Sequence, residues 1–219
     1  VLARFQRDWR FHWHSDVRIV RTENDETFYL DHGARCLENY YRSHYPFDMD
    51  RTVAIEQDVQ LVLDDAGRYR MRGIIDRLVQ TRDGRFEIHD YKTSASMPPR
   101  RRLEQDRQLP LYQIAVQQTY PEAREVTLVW HYLAFNRTVR QERSSDQLSE
   151  LRSTTIKLID EIRGAGEYPA RPGPLCRWCD YGSICPSYRG QSQAGAELPD
   201  ATSSTLLPPL QPPGQLPLL

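Results

Sequence analysis

The feature that constrains this chain most is the segment Gly73-Ile74-Ile75-Asp76, followed fourteen residues later by the acidic residue of Asp90-Tyr91-Lys92. Asp83-Gly84 between the two segments is a signal for a tight hairpin, so the flanking strands are predicted to be antiparallel neighbours. Asp90 and Lys92 are two residues apart and therefore share one face of a strand. We expect the hairpin to bring Asp76 up to Asp90, so that two carboxylates and an ammonium group form one site.

Such a carboxylate pair is typical of a site for a hard divalent cation. Asp76 and Asp90 are predicted ligands for Mg²⁺ or Mn²⁺, and the carbonyl of Tyr91 can supply a third oxygen. The cation would polarise a phosphoryl oxygen and activate water, while Lys92 would stabilise developing negative charge. The pattern therefore predicts phosphodiester hydrolysis. The alternative is a structural Asp–Lys salt bridge on an exposed strand.

The remaining sequence predicts an α/β fold in which helices flank a mixed central sheet. Strands are predicted over 53–63, 69–80, 85–92 and 126–135, and helices over 32–45, 106–119 and 146–163. Within the first strand, alternation predicts that Ile55, Val59 and Leu61 face the core.

We expect four regions along the chain. Residues 1–30 form an N-terminal segment without a firm assignment, 31–165 the catalytic core, 166–188 a cysteine-rich segment, and 189–219 a proline-rich tail. The tail is predicted to be disordered, with a linker or docking segment as the alternative. No signal peptide is recognisable and no apolar run reaches the roughly 20 residues of a membrane helix, so a cytoplasmic location without membrane contact is expected.

Three cysteines lie close together as Cys176-x2-Cys179-x5-Cys185, with Gly182 between them and a proline after the last. This spacing is typical of a metal-binding loop. Both a Zn²⁺ site and a [4Fe–4S] cluster need four ligands, and the spacing does not distinguish the two.

Any nucleic-acid binding must depend on a local patch, because the net charge is −1. Arg100-Arg101-Arg102 with Arg107 is the best candidate, and a solvated loop with a helix start is the alternative. Gln108 and Tyr112 are four residues apart and therefore lie on one face of a helix. A glutamine can orient water or phosphate there, and a tyrosine can stack on a base or bind a phosphate.

Together, Gly73–Asp76, Asp90–Thr93 and Gln108–Tyr112 resemble the RecB-like branch of the PD-(D/E)XK nucleases, over about residues 33–186. The resemblance implies a restriction-endonuclease-like αβββαβ core. It implies Asp76 and Asp90 as metal ligands, Lys92 as the catalytic lysine, and Gln108 and Tyr112 as the motif that follows.

Two further positions are judged against that family. Glu56 stands where many relatives carry a glutamate, which implies a supporting role in the site; a plain surface glutamate is the alternative. Many relatives carry a histidine ligand four residues after a glycine of the first helix, whereas here Leu37 follows Gly33 at that position. The resemblance therefore supplies no third protein ligand.

The three clustered cysteines resemble those of AddB-type and CRISPR adaptation nucleases, which favours a [4Fe–4S] cluster over Zn²⁺. In those relatives a fourth cysteine lies upstream of the nuclease core, so the resemblance implies either Cys36 or a cysteine that preceded Val1 as the fourth ligand. The alternative for Cys36 is a buried cysteine of a helix. The family implies a metal-dependent deoxyribonuclease, expected to be an exonuclease that acts on DNA ends or single strands in recombination, repair or CRISPR adaptation, often beside a helicase domain or subunit. The alternatives are a noncatalytic DNA-binding module with the nuclease fold, and a zinc-stabilised protein-interaction domain.

Overall fold

A computed structural model describes residues 1–21 and 23–188, with Trp178 described by its backbone alone. The predicted tail over 189–219 lies outside these residues. The described chain divides into two units. The first comprises Val1–Ile19 and Glu23–Gly164, and the described part of the second comprises residues 20–21 and 165–188. Among all the described residues, no helix is long and apolar enough to span a bilayer.

The first unit is built on a mixed sheet of five strands in the order β1-β2-β3-β4-β5. Strands β3 and β4 are parallel, and the other neighbours are antiparallel. Their bounds are β1 Arg51–Val62, β2 Arg70–Gln80, β3 Phe86–Lys92, β4 Val126–Tyr132 and β5 Arg137–Glu142. The predicted α/β class with a mixed sheet is confirmed.

Within the described residues, five α-helices accompany the sheet: α1 Leu2–His12, α2 Glu26–His44, α3 Arg100–Glu104, α4 Gln108–Thr119 and α5 Ser145–Gly164. The same part of the chain has 3₁₀ turns at Leu133–Phe135 and Pro174–Trp178.

The boundaries differ from the prediction for local reasons. Helix α2 begins six residues earlier than predicted because the Asp25 side chain accepts a hydrogen bond from the Phe28 amide at 2.8 Å and caps it. Strand β4 ends at Tyr132 because a 3₁₀ turn follows. Elements α1, α3 and β5 were not predicted; β5 is a largely exposed, polar edge strand that lacks an apolar alternation.

The two faces of the sheet differ in character. The front face, which we define as the one covered by α4, carries the hydrophobic core: Ile88 and Leu128 of the sheet are buried in one cluster with Leu109 and Ile114 of α4. The back face, covered by α2, is polar along β3. There Glu87 and His89 are buried and hydrogen-bonded to each other.

Candidate active site

Asp90 and Lys92 form an ion pair on the front face of β3. The ammonium nitrogen of Lys92 lies 2.9 Å from Oδ1 and 2.8 Å from Oδ2 of Asp90, whose side chain is only 5% exposed. The bond to Oδ1 has hydrogen-bond geometry, whereas the buried Oδ2 has no hydrogen-bond partner. A buried carboxylate oxygen without a partner is costly, and a bound cation would satisfy it.

Asp76 lies at a break in the alternation of β2. Ile75 and Leu78 are fully buried in the same core cluster, although residues three apart on a regular strand face opposite sides. At this break, Oδ2 of Asp76 accepts a hydrogen bond from the backbone amide of Tyr91 at 2.9 Å. Because Tyr91 stands between Asp90 and Lys92, this bond places the Asp76 carboxylate beside the segment of β3 that carries these two residues.

Glu56 lies on β1 at the level of this break. Its neighbours Ile55 and Gln57 pair with Arg77 and Ile75, so Glu56 stands opposite Asp76. Its φ is 50°, a left-handed conformation that costs a residue other than glycine about 1–3 kcal/mol and that occurs preferentially at functional sites. The distortion also corrects one prediction: Ile55 is 58% exposed rather than in the core, whereas Val59 and Leu61 are buried as predicted.

Burial is the largest cause of the raised pKa values of the acidic groups in the site. Burial raises the pKa of Asp90 to about 6, with Lys92 opposing the shift and Asp76 adding to it. Burial also raises the pKa of Asp76, against the Tyr91 amide and Lys92. Partial desolvation and the charge of Asp76 raise the pKa of Glu56. Ionised carboxylates are therefore unfavourable here without a compensating positive charge.

Helix α4 closes the site from the front and joins it to the glycine of the first motif. The Lys92 ammonium donates to Oε1 of Gln108, and Nε2 of Gln108 donates to the Tyr112 hydroxyl, each at 3.3 Å. The Tyr112 ring covers Gly73 so closely that a Cβ there would lie 2.4 Å from Cε1 of the ring. The three sequence motifs are thus in direct contact, and Gly73 is required by the approach of Tyr112.

Two groups beside the site, Asp106 and Tyr132, were not predicted from the sequence as site residues. The pKa of Asp106 is raised by burial, against nearby groups that include Lys92, and Asp106 in turn raises the pKa of Asp90. Burial, Asp90 and Asp106 raise the pKa of Tyr132 to about 12. An aspartate at a predicted helix start could have indicated a cap, and its side chain does accept from the Leu109 amide at 3.3 Å. No sequence signal indicated Tyr132, which reaches Lys92 through the parallel pairing of β3 with β4.

The residues present fit a divalent cation in part. Asp76 and Asp90 supply two carboxylates, and Oδ2 of Asp90, which has no hydrogen-bond partner, is free to bind a cation. Within residues 1–21 and 23–188, however, no group of three or more His, Cys, Asp or Glu side chains is arranged to hold a metal. The Tyr91 carbonyl as a further ligand stays a prediction. The Tyr91 side chain itself lies on the back face, where its ring contacts Tyr40.

The predicted DNA-binding arginines lie on and just after α3. The Arg100 side chain is 92% exposed and pairs with Glu104 at 2.9 Å; Arg101 and Arg107 are also exposed. Arg143 donates to the carbonyls at the end of α3, those of Leu103 and Glu104, at 3.5 and 3.4 Å. This contact holds α3 to the end of β5. DNA binding by Arg100, Arg101, Arg102 and Arg107 stays a prediction.

The clustered cysteines belong to the second unit and are free thiols. Cys176 accepts a hydrogen bond from the Gly173 amide at 3.3 Å. The turn around Gly182 is tight, because a Cβ there would lie 3.1 Å from the carbonyl oxygen of Cys179. Cys36 belongs to the first unit, is 2% exposed in α2, and has a thiol pKa raised by burial. That environment favours a buried structural cysteine over a metal ligand.

Comparison with known proteins identifies the fold independently of these contacts. The model of a family described as the PD-(D/E)XK nuclease superfamily matches residues 17–186. No curated protein matches the chain. Among solved structures, one titled "Crystal structure of SSO0001" is 17% identical and aligns over 85% of this chain and 94% of its own, with a TM-score of 0.39.

Proposed function

Because the chain belongs to the PD-(D/E)XK nuclease superfamily, whose members generally hydrolyse phosphodiester bonds, we propose that it is a metal-dependent deoxyribonuclease of the RecB-like branch. The observation that carries the proposal is the placement of the Asp76 carboxylate on the Tyr91 amide, between Asp90 and Lys92, beside a buried Oδ2 of Asp90 that has no hydrogen-bond partner.

Each residue of the site has a chemical task in this proposal. Asp76 and Asp90 hold Mg²⁺ or Mn²⁺, which when bound would supply Lewis-acid stabilisation of negative charge on the phosphate. The Lys92 ammonium stabilises charge that develops on the oxygens of the attacked phosphate. Gln108 keeps Lys92 in place through its 3.3 Å contact, and Tyr112 offers a hydroxyl and a ring to the substrate. Glu56 is proposed to support the site from β1.

The substrate is proposed to be DNA ends or single strands, cleaved exonucleolytically in recombination, repair or CRISPR adaptation beside a helicase domain or subunit. The exposed arginines of α3 and the start of α4 are proposed to hold phosphates. Contacts of this type give affinity with little sequence preference and weaken as salt is raised.

The decisive experiment incubates end-labelled single- and double-stranded DNA with the protein and Mg²⁺ or Mn²⁺. We expect Asp90→Ala and Lys92→Ala to lose cleavage by about two to three orders of magnitude, the usual effect of removing one electrostatic group from a preorganised site. Lys157→Ala, at the other lysine of the chain, is the matched control because Lys157 is exposed on α5. Equal degradation by all four proteins would assign the cleavage to a contaminant or to another site.

A noncatalytic DNA-binding module is the second candidate. It is favoured by the lack, within the described part of the chain, of three ligand side chains arranged for a metal. In that case the wild type would bind DNA without cleaving it in either metal, and Lys92→Ala would bind as the wild type does.

We also propose that Cys176, Cys179 and Cys185 hold a structural [4Fe–4S] cluster. Zn²⁺ is the alternative. Purification without oxygen, followed by an absorption spectrum and metal analysis, separates the two: iron with sulfide and a broad band near about 400 nm supports the cluster, and colourless protein containing zinc excludes it.

A further inference from the structure

Three polar side chains form a hydrogen-bonded unit on the back face of the sheet, beneath the candidate active site. The hydroxyl groups of Tyr40 and Tyr91 lie 2.9 Å apart, and Nη1 of Arg77 donates to the Tyr40 hydroxyl at 3.1 Å. The positive charge of Arg77 also opposes the rise in the pKa of Tyr91 that burial causes. We call this unit the Tyr40 clamp; it joins α2, β2 and β3.

The clamp acts on the positions that carry the site. Arg77 directly follows Asp76, and Tyr91 stands between Asp90 and Lys92. The regular pairing of β2 with β3 ends at Arg77 and His89, one step short of these residues. Beyond that step, hydrogen bonds join the two strands through the Asp76–Tyr91 amide bond on the front and, by way of Tyr40, through the clamp on the back.

The Tyr91 ring is held by packing as well as by its hydroxyl. It stacks on His131 with ring centroids 5.1 Å apart and meets the Tyr40 ring edge-on at 5.2 Å. Flat ring contacts restrict motion perpendicular to the rings but resist sliding weakly. The directional hydrogen bonds of the clamp supply the missing restraint along the strand.

We propose that Tyr40 is a positioning residue of the nuclease site: from the opposite face of the sheet, its hydroxyl fixes the separation of Asp76 from Asp90 and Lys92. The expected effect on the rate of cleavage rests on the proposed function, whereas the effect on the separation of these side chains does not. Tyr40 lies on the face of the sheet opposite Asp90 and Lys92, so it acts on them through Arg77 and Tyr91. Its effect follows from geometry, since reacting groups displaced by about 1 Å lose up to a hundredfold in rate.

The kinetic test compares Tyr40→Phe, Tyr91→Phe and the double variant, each of which keeps the rings and removes hydroxyl groups. The control is Tyr120→Phe, which removes a hydroxyl that accepts from Gln57 at 3.2 Å elsewhere in the same unit. We expect kcat to fall about tenfold in both single variants, the factor of one hydrogen bond, with KM for DNA unchanged. The double variant should be no slower than either single one, because all three lose the same link.

A second readout needs neither metal nor activity. The exchange rate of the Tyr91 amide, measured by NMR in metal-free protein, should rise about tenfold in Tyr40→Phe and stay unchanged in Tyr120→Phe, because that amide is bonded to Asp76. If the wild-type protein does not cleave DNA, the proposed function is refuted. The exchange rate of the Tyr91 amide then tests by itself whether the Tyr40 clamp holds the two strands. An unchanged Tyr91 exchange rate, additive effects in the double variant, or an equal loss of kcat in the control would overturn the clamp.

Discussion

The buried carboxylate of Asp90 makes the stability of the metal-free protein depend on pH. Burial raises the pKa of Asp90 from 3.8 to about 6, and its side chain is 5% exposed, so solvent screens it little. One pKa unit corresponds to about 1.4 kcal/mol, so the ionised carboxylate disfavours the folded state by about 3 kcal/mol. Replacing it with the uncharged, isosteric amide in Asp90→Asn should remove that penalty.

The direction follows from the raised folded pKa. The contribution of Asp90 to stability is fully present below its unfolded pKa near 3.8 and is lost as the pH rises through about 6. Asp90→Asn cannot ionise and escapes this loss. The variant should therefore match the wild type near about pH 4 and exceed it by about 3 kcal/mol near about pH 8.

The assay is urea unfolding followed by circular dichroism across this pH range, with a chelator present. At about pH 8 the difference corresponds to a rise in Tm of roughly 6–12 °C for a chain of this size. Asp65→Asn, in the exposed turn between β1 and β2, is the control and should leave stability unchanged. Added Mg²⁺ should stabilise the wild type and leave Asp90→Asn, which has lost a ligand, unaffected.

A lower stability of Asp90→Asn than of the wild type near about pH 8 would refute this reasoning. It would mean that the ion pair with Lys92 outweighs the desolvation of Asp90. A difference that stays constant with pH would equally show that ionisation of Asp90 is not its source.

Three further substitutions test the surrounding geometry. Gly73→Ala should lower the unfolding free energy in urea by about 1–3 kcal/mol and reduce cleavage, because its Cβ would lie 2.4 Å from Tyr112; unchanged stability would contradict that packing. Burial tends to raise the pKa of Glu87, but its hydrogen bonds, above all the one from His89, outweigh burial and lower the pKa from 4.5 to about 2. This stabilisation is present above about pH 4.5 and lost as the pH falls through about 2, so Glu87→Gln should destabilise by about 3 kcal/mol at neutral pH and progressively less in acid. Glu56→Gly should raise the melting temperature, since it relieves a φ of 50° worth about 1 kcal/mol or more, while slowing cleavage; a lower melting temperature would show that the conformation is not strained.

Much of the site could be predicted because its rules are local. The two-residue spacing of Asp90 and Lys92 places them on one face of a strand, and the hairpin signal makes the strand of Asp76 their neighbour. The four-residue spacing of Gln108 and Tyr112 likewise places them on one helix face. The structure shows both arrangements, while the catalytic roles of these residues stay predictions.

Only the tertiary structure decided the rest. Periodicity assumes a regular strand, so it could not reveal the break at Asp76 or the left-handed conformation of Glu56 opposite it. For the same reason it wrongly predicted that Ile55 is buried. Tyr132 reaches Lys92 because β3 and β4 pair in parallel across more than thirty residues of intervening chain. Sequence patterns report which way a side chain points within its own element; which elements meet, and at what register, depends on long-range packing that no local pattern encodes.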